Sequence, residues 1–213
     1  MYRPPAFAED DPEILAAILA ETRLATLISV LDGAPVVDHL PLLFDPHRGP
    51  LGTLCGHLAR ANPQAAAETD GRAVTIVALG PDAYVSPSYY PSKHETGRVV
   101  PTWNYVAVHA HGRLRLFDDP DRLLALVTRL TDTHEAGRAA PWRVADAPEP
   151  FVRAQLKGIV GFEVEIERLD GKRKLSQNRT PADRAGVTAA LALSADDRDR
   201  AVAAAMGASA AAG

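Results

Sequence analysis

Cysteine is nearly missing from this chain. Cys55 is the only one, which excludes an internal disulfide and a cysteine-built zinc site. No excess of positive charge is present either: the formal net charge is −4, so nothing draws the whole chain toward a phosphate backbone, and contact with nucleic acid would need a local basic patch. No apolar run reaches the ~20 residues that span a bilayer, and the N-terminus does not read as a signal peptide. A cytoplasmic protein with no membrane partner is therefore expected. Several motifs are absent as well. There is no Gly-x-Gly-x-x-Gly, no Walker loop, no His-Glu-x-x-His and no Gly-x-Ser-x-Gly elbow, so dinucleotide-fold, P-loop, zincin and acyl-hydrolase readings find no foothold. No helix-turn-helix pattern stands out, and the most basic stretch, Gly171-Lys172-Arg173-Lys174, is short.

What is present suits one sizeable core. The chain has 213 residues, 46% hydrophobic and 23% charged, as an ordinary globular protein does. Asp10-Asp11-Pro12-Glu13 opens a helix whose apolar face is Ile14, Leu15, Ile18 and Leu19. Leu24 to Leu31 reads as a strand closed by the hairpin signal Asp32-Gly33, with Pro35 to Phe44 returning beside it. After a turn over Asp45–Pro50, Leu51 to Cys55 makes a short third strand, and Gly56–Pro63 is expected to leave the sheet as a helical piece. Asp70-Gly71 turns the chain into Ala73–Leu79, and Gly80-Pro81-Asp82 is expected to turn it again into Ala83–Ser86. Ser86–His94 is too rich in proline and serine for a strand and reads as a loop. Asp118-Asp119-Pro120 caps a helix with Leu123, Leu124, Val127 and Leu130 inward, and Pro148–Gly158 is a shorter helix. Val160, Phe162, Val164 and Ile166 alternate along a strand that Asp170-Gly171 should end. The alanine-rich tail from Thr180 is helical, with Ser194 capping its last helix and Ala208–Gly213 fraying. Short strands with turn signals between them give a mainly β, antiparallel, barrel-like fold with flanking helices. Residues 1–179 form its barrel domain and 180–213 a C-terminal helical extension of the same domain.

The chain is organised around Val99–His109. Pro101 favours an extended entry, and Thr102, Trp103, Asn104 and Tyr105 then lead a strand that alternates to Phe117. Trp103, Tyr105, Ala107, His109 and His111 fall on one side, and Val106, Val108, Ala110 and Leu114 on the other. Two aromatics, an amide and a hydroxyl at a strand entry suit a flat heteroaromatic ligand; the alternative is that the rings only pack a barrel end. His109 and His111 share a face, but no third metal ligand lies near them in sequence. His57 and Arg60 stand where a strand is expected to give way to a helical turn. That place is either an anion site or a solvated loop.

Taken in order, Gly56-His57-Leu58-Ala59-Arg60-Ala61-Asn62-Pro63, Tyr84-Val85-Ser86-Pro87-Ser88-Tyr89-Tyr90, Val100-Pro101-Thr102-Trp103-Asn104-Tyr105 and Lys174-Leu175-Ser176-Gln177-Asn178-Arg179 resemble the PaiB-like, FMN-binding negative transcriptional regulators. The opening Met1–Phe7 is similar too, so the resemblance spans nearly the whole chain. It implies an antiparallel split β-barrel related to pyridoxamine-phosphate oxidases, dimeric, with FMN held non-covalently at the subunit interface. It further implies flavin contacts at Leu24, Ala25, Thr26, His57, Arg60, Asn62, Ser86, Ser88, Tyr89, Thr102, Trp103, Asn104, Lys174, Ser176, Gln177 and Asn178. In relatives a Ser-Arg-Lys run meets the FMN phosphate; here Leu58-Ala59-Arg60-Ala61 keeps one cation, which makes Arg60 the expected phosphate ligand with His57 as helper. Tyr89-Tyr90 stands where many relatives have Trp-Tyr and is expected to keep a flat stacking surface.

The resemblance implies a homodimeric repressor, with direct DNA binding doubtful and a DNA or protein partner possible. Two other classes stay open: an FMN-dependent oxidoreductase or haem-handling enzyme on the same barrel, and an interaction module with an empty cleft. No residue reads as an obvious acid, base or nucleophile; flavin chemistry asks of a protein only orientation and electrostatics.

Overall fold

The computed structural model describes residues 1–211, with side chains through Ala208. In chain order the strands are β1 (Ala8–Glu9), β2 (Ala25–Leu31), β3 (Ala34–Leu40), β4 (Leu43–Asp45), β5 (Thr53–Ala59), β6 (Ala73–Val85), β7 (Thr102–Phe117) and β8 (Ile159–Lys174). The helices are α1 (Pro12–Glu21), α2 (Ser92–Thr96), α3 (Pro120–Glu135), α4 (Glu149–Leu156), α5 (Pro181–Ala192) and α6 (Asp197–Ala211). The strands form one sheet in the order β3-β2-β6-β7-β8-β5-β4, with β1 pairing β8. The pairings of β1, β3, β4 and β5 are all antiparallel, as a meander requires. No described helix is long and apolar enough to cross a membrane.

Several expectations hold for stated reasons. Asp32 and Gly33 both take positive φ, 50° and 78°, the conformation of a two-residue hairpin turn that matches strand twist. The Asp119 carboxylate accepts from Arg122 N at the start of α3, and Pro120 occupies its first turn. Along β7 the buried positions are Asn104, Val106, Val108, Ala110, Gly112 and Leu114, the expected inward row, with Ala107 buried besides. Along β8 they are Val160, Phe162, Val164 and Ile166, together with Gly161 and, further on, Asp170, Gly171 and Lys172.

Other expectations are corrected. The strand expected over Pro35–Phe44 breaks at Leu40, and Leu43–Asp45 pairs separately with β5. β5 runs on to Ala59, so Gly56–Ala59 is strand, not helix. Gly56 is there for space: a Cβ would lie 2.8 Å from both Leu42 and Phe162 side chains. Gly80-Pro81-Asp82 makes no turn, because β6 continues through it. The burial alternation resets instead, from Val74, Ile76 and Ala78 before it to Ala83 and Val85 after it, the one-residue slip that a bulge produces. β8 also runs through Asp170-Gly171, held open by β1 with Glu9 opposite Gly171 and Ala8 opposite Lys172. The Ser86–His94 loop contains a 3-10 turn at Pro87–Tyr89 and the first residues of α2. Asp196, not Ser194, caps α6, accepting from Arg198 N at 2.8 Å; Ser194 supports it by accepting from Asp196 N. The fraying expected over Ala208–Gly213 falls on the end of α6 and on two residues outside those described.

The chain divides into two compact units: unit 1 is Met1–Asp11, Leu79–Val108 and Asp170–Gly213, and unit 2 is Pro12–Ala78 and His109–Leu169. Unit 1 buries Val85, Tyr90, Val106, Leu175, Val187, Leu191 and Met206, and α5 packs on α6. Unit 2 buries Leu27, Leu54, Ile76, Phe162 and Val164, each worth about 1.5–3 kcal/mol by burial alone. There the outer row of β5 meets α3, where Cys55 clusters with Leu43, Leu126 and Leu130.

Candidate functional site

The residues expected to hold a ligand fall in both units, and unit 1 gathers the polar ones most tightly. At the end of β8, Leu175 is fully buried and anchors the chain, and Ser176 turns it at φ 63°. Gln177 closes that turn on itself: its Oε1 accepts from Leu175 N and its Nε2 donates to Arg173 O. The bend brings the Ser176 hydroxyl 3.0 Å from the amide of Asn104, itself fully buried at the start of β7. Lys174 extends its Nζ to Thr102 Oγ1 at 2.6 Å and to the Trp103 carbonyl. Burial, then the charges of Lys172 and Arg179, hold the Lys174 pKa below the ordinary lysine value. Together with Phe7, Asn178 and Arg179 these side chains line a slot of about 100 Å³.

Beside the Lys174 contact, on the backbone of the same strand, Trp103 stands out into solvent at 54% exposure, edge-on to the half-exposed Tyr84 with ring centroids 5.9 Å apart. This pair, and not Tyr89-Tyr90, makes an exposed aromatic surface here. Tyr90 is 1% exposed, with the Arg179 guanidinium 4.8 Å over its ring, so it packs the interior where a stacking role was expected. Tyr89 is half-buried and its carbonyl lies against Gly186 of α5. Ser86 is spent locally, its hydroxyl accepting from Ser88 N, while Ser88 Oγ accepts from Lys93 Nζ at 3.4 Å.

In unit 2, Leu24 is exposed just ahead of β2, Ala25 is buried, and Thr26 Oγ1 pairs with His39 Nδ1 at 3.0 Å across the β2–β3 hairpin. Arg60 does not sit at a helix start. Its Nε donates to Lys157 O at 2.8 Å, its Nη2 donates to Ile159 O at 3.0 Å, and its Nη1 faces Asp118 at 3.6 Å. The guanidinium thereby clamps the α4–β8 junction, and the helix-start anion site expected of Arg60 and His57 is not formed. His57 lies within β5 with Nδ1 buried and unpartnered, and burial draws its pKa below 6.5. Asn62 caps the turn Pro63–Ala65 through Oδ1 and donates from Nδ2 to Asp38 at 2.9 Å. His111 pairs with Thr75, and among the described residues no group of three or more His, Cys, Asp or Glu gathers to hold a metal.

A family model described as "Putative FMN-binding domain" matches residues 1–168. The chain belongs to this FMN-binding family. Among curated relatives it is 33% identical over 186 residues to the Bacillus subtilis protease synthase and sporulation protein PAI 2, covering 86% of this chain and 85% of that one. It is 32% identical to an uncharacterized protein of Emericella nidulans, covering 88% of each. The fold is that of the split-barrel flavoproteins. The FAD- and haem-binding protein of Mycobacterium smegmatis superposes with a TM-score of 0.57 at 18% identity, covering 78% of this chain and 73% of that one. The flavocytochrome Anf3 of Azotobacter vinelandii superposes at 0.56 and 18% identity, covering 91% and 74%.

The unit 1 residues of this FMN-family chain fit a flavin's demands. A flavin ring needs a flat apolar face and a few donors at its edge, and the phosphate needs cations. Trp103 and Tyr84 offer the first; Lys174, Arg179, Thr102 and Asn178 offer the rest. The slot itself has room for a phosphate-sized group, far below the roughly 300 Å³ at which drug-sized pockets begin. Tyr84 and Arg179, not among the contacts expected from sequence, both lie inside motifs that carried the resemblance. Lys172, also not among them, holds its Nζ 5.2 Å from the Tyr105 ring.

Proposed function

We propose that this chain is a flavin-dependent regulator of the PaiB type: a cytoplasmic homodimer that holds FMN non-covalently at the subunit seam and acts on transcription through a partner. The observation that carries the reading is the seating of Lys174 against Thr102 and the Trp103 backbone beside the exposed Trp103–Tyr84 pair. Rings so exposed are costly to leave in water and are natural material for a seam. When FMN is bound, it supplies reversible electron transfer, and the chain's share is to bind and orient it. Lys174 and Arg179 would hold the anionic portion, with Thr102 and Asn178 adding hydrogen bonds. The family, the PAI 2 relative and a buried free thiol at Cys55 that suits a reducing compartment all support this reading.

An absorbance spectrum of the purified protein is the test. A flavin spectrum, with FMN released on denaturation and no turnover when NAD(P)H is added, is the expected result. Turnover would make the chain an oxidoreductase, a Soret band with added haem would place it in the haem-handling branch, and failure to take up added FMN would end the flavin reading.

A further inference from the structure

Residues 2–9 run beside the end of β8 and meet the chain's most basic stretch one cation at a time. Tyr2 answers Lys172: its carbonyl accepts from Lys172 Nζ at 3.1 Å and its ring lies 5.7 Å from that ammonium, with the Tyr105 ring at 5.2 Å. Glu9 pairs with Arg173 at 3.3 Å, both side chains largely buried. Phe7 holds its ring 5.8 Å from Lys174 Nζ and forms a wall of the slot that Lys174 shares with Thr102, Asn104 and Arg179. Three successive cations thus each find a partner in a different residue of one short segment of the same unit.

That segment has no core of its own. None of residues 2–9 is buried, and its backbone pairs with β8 only at Ala8 and Glu9. Charge does the fastening, from Glu9 to Arg173 and from Arg3 to Asp10 and Asp170. A piece so held opens at low cost while the strands beside it stay folded. The closed state also carries costs that opening relieves. Lys172 is 7% exposed with its ammonium resting on a carbonyl and two rings, and Arg3 Nε is buried without a hydrogen bond. With Phe7 in place the slot still holds about 100 Å³, so a phosphate-sized group fits beneath the closed segment.

We propose that residues 2–9 are a gate on the Lys174 slot, latched by the Glu9–Arg173 pair, that opens to admit the phosphate end of a ligand and closes over it with Phe7 as the inner wall. The identity of the ligand rests on the flavin reading; the gate rests on the contacts of the segment itself.

Hydrogen exchange of the full chain, followed by mass spectrometry, tests the gate without a flavin. Residues 2–9 should exchange faster than β7. Glu9→Gln removes the charge facing Arg173 and keeps an oxygen for Asp11 N, so it should speed residues 2–9 a further two- to fivefold, about the worth of one such ion pair, and leave β7 unchanged. Inorganic phosphate at millimolar concentration should slow exchange at residues 2–9 in the wild type and not in Lys174→Met. FMN should slow it too, and FMN association and dissociation, read by flavin fluorescence, should quicken by one common factor in Glu9→Gln. Protection by phosphate with none by FMN would keep the gate and retire the flavin as its ligand. Exchange at residues 2–9 no faster than in β7, no response to Glu9→Gln, phosphate protection that is absent or survives Lys174→Met, or faster FMN dissociation alone would each overturn the proposal.

Discussion

Tyr90 and Trp103 are large aromatics from neighbouring segments, yet one is sealed inside and the other stands in water. Trp103 was legible because it leads an alternating strand, where parity assigns a face. Tyr90 was not, because a Pro- and Ser-rich segment has no period and its rings point wherever α5 and Arg179 leave room. Arg60 was misplaced for a related reason. Gly56 reads as a breaker, whereas its missing side chain admits Leu42 and Phe162 within a continuing strand. The proposed function gives the flavin phosphate to Lys174, and on that reading Lys174→Met should cost FMN binding about 1.5–3 kcal/mol while riboflavin affinity barely moves, as read by fluorescence titration. Equal loss for both flavins would remove Lys174 from the phosphate. His57 makes a prediction in pH. Its folded pKa is depressed, so below 6.5 the unfolded chain takes up a proton that the folded chain refuses. Stability should fall as pH drops from 6.5 toward the folded value. His57→Leu should flatten that part of a melting-temperature profile.

Among the elements, the same dipeptide signals had opposite outcomes. Asp32-Gly33 makes the hairpin it announces, since nothing competes for its backbone. Asp170-Gly171 does not turn, because β1 supplies a partner strand and Asp170 pairs with the Met1 ammonium and Arg3, each at 3.5 Å. Gly80 likewise serves proximity, as an added Cβ would lie 2.9 Å from Val106. Long-range partners of this kind leave no trace in local composition, whereas the strand faces and helix caps do. The glycines can be told apart by substitution. Gly33→Ala meets open space and should cost about 1 kcal/mol, for positive φ alone. Gly112→Ala drives a methyl into the Glu165 carbonyl of β8 and should cost about 1–3 kcal/mol or more by urea denaturation. Similar costs at the two positions would mean that β7 and β8 adjust freely.

For the molecule as a whole, the proposed sharing of the flavin across a seam would tie cofactor to assembly. Free FMN at a hundred times its dissociation constant should favour the dimer by about 2.7 kcal/mol, so dilution should release flavin and added flavin should resist dilution. Sedimentation velocity over a concentration series shows this directly, and a monomer with full flavin occupancy would disprove the seam. With a net charge of −4, binding to DNA by the protein alone should be weak and fall steeply with salt. Nanomolar, sequence-specific gel shifts at physiological salt would instead make regulation direct. The order of the chain through the two units adds a matter of timing. A nascent polypeptide that has emerged as far as Leu169 already holds every residue of unit 2, but unit 1 still lacks about half of its sequence, including Lys174, Ser176 and Arg179. The ribosome thus delivers last the cluster to which the proposed function gives the flavin. On that proposal, capture of the cofactor waits for the segment beyond Leu169, and a chain truncated there should hold no flavin.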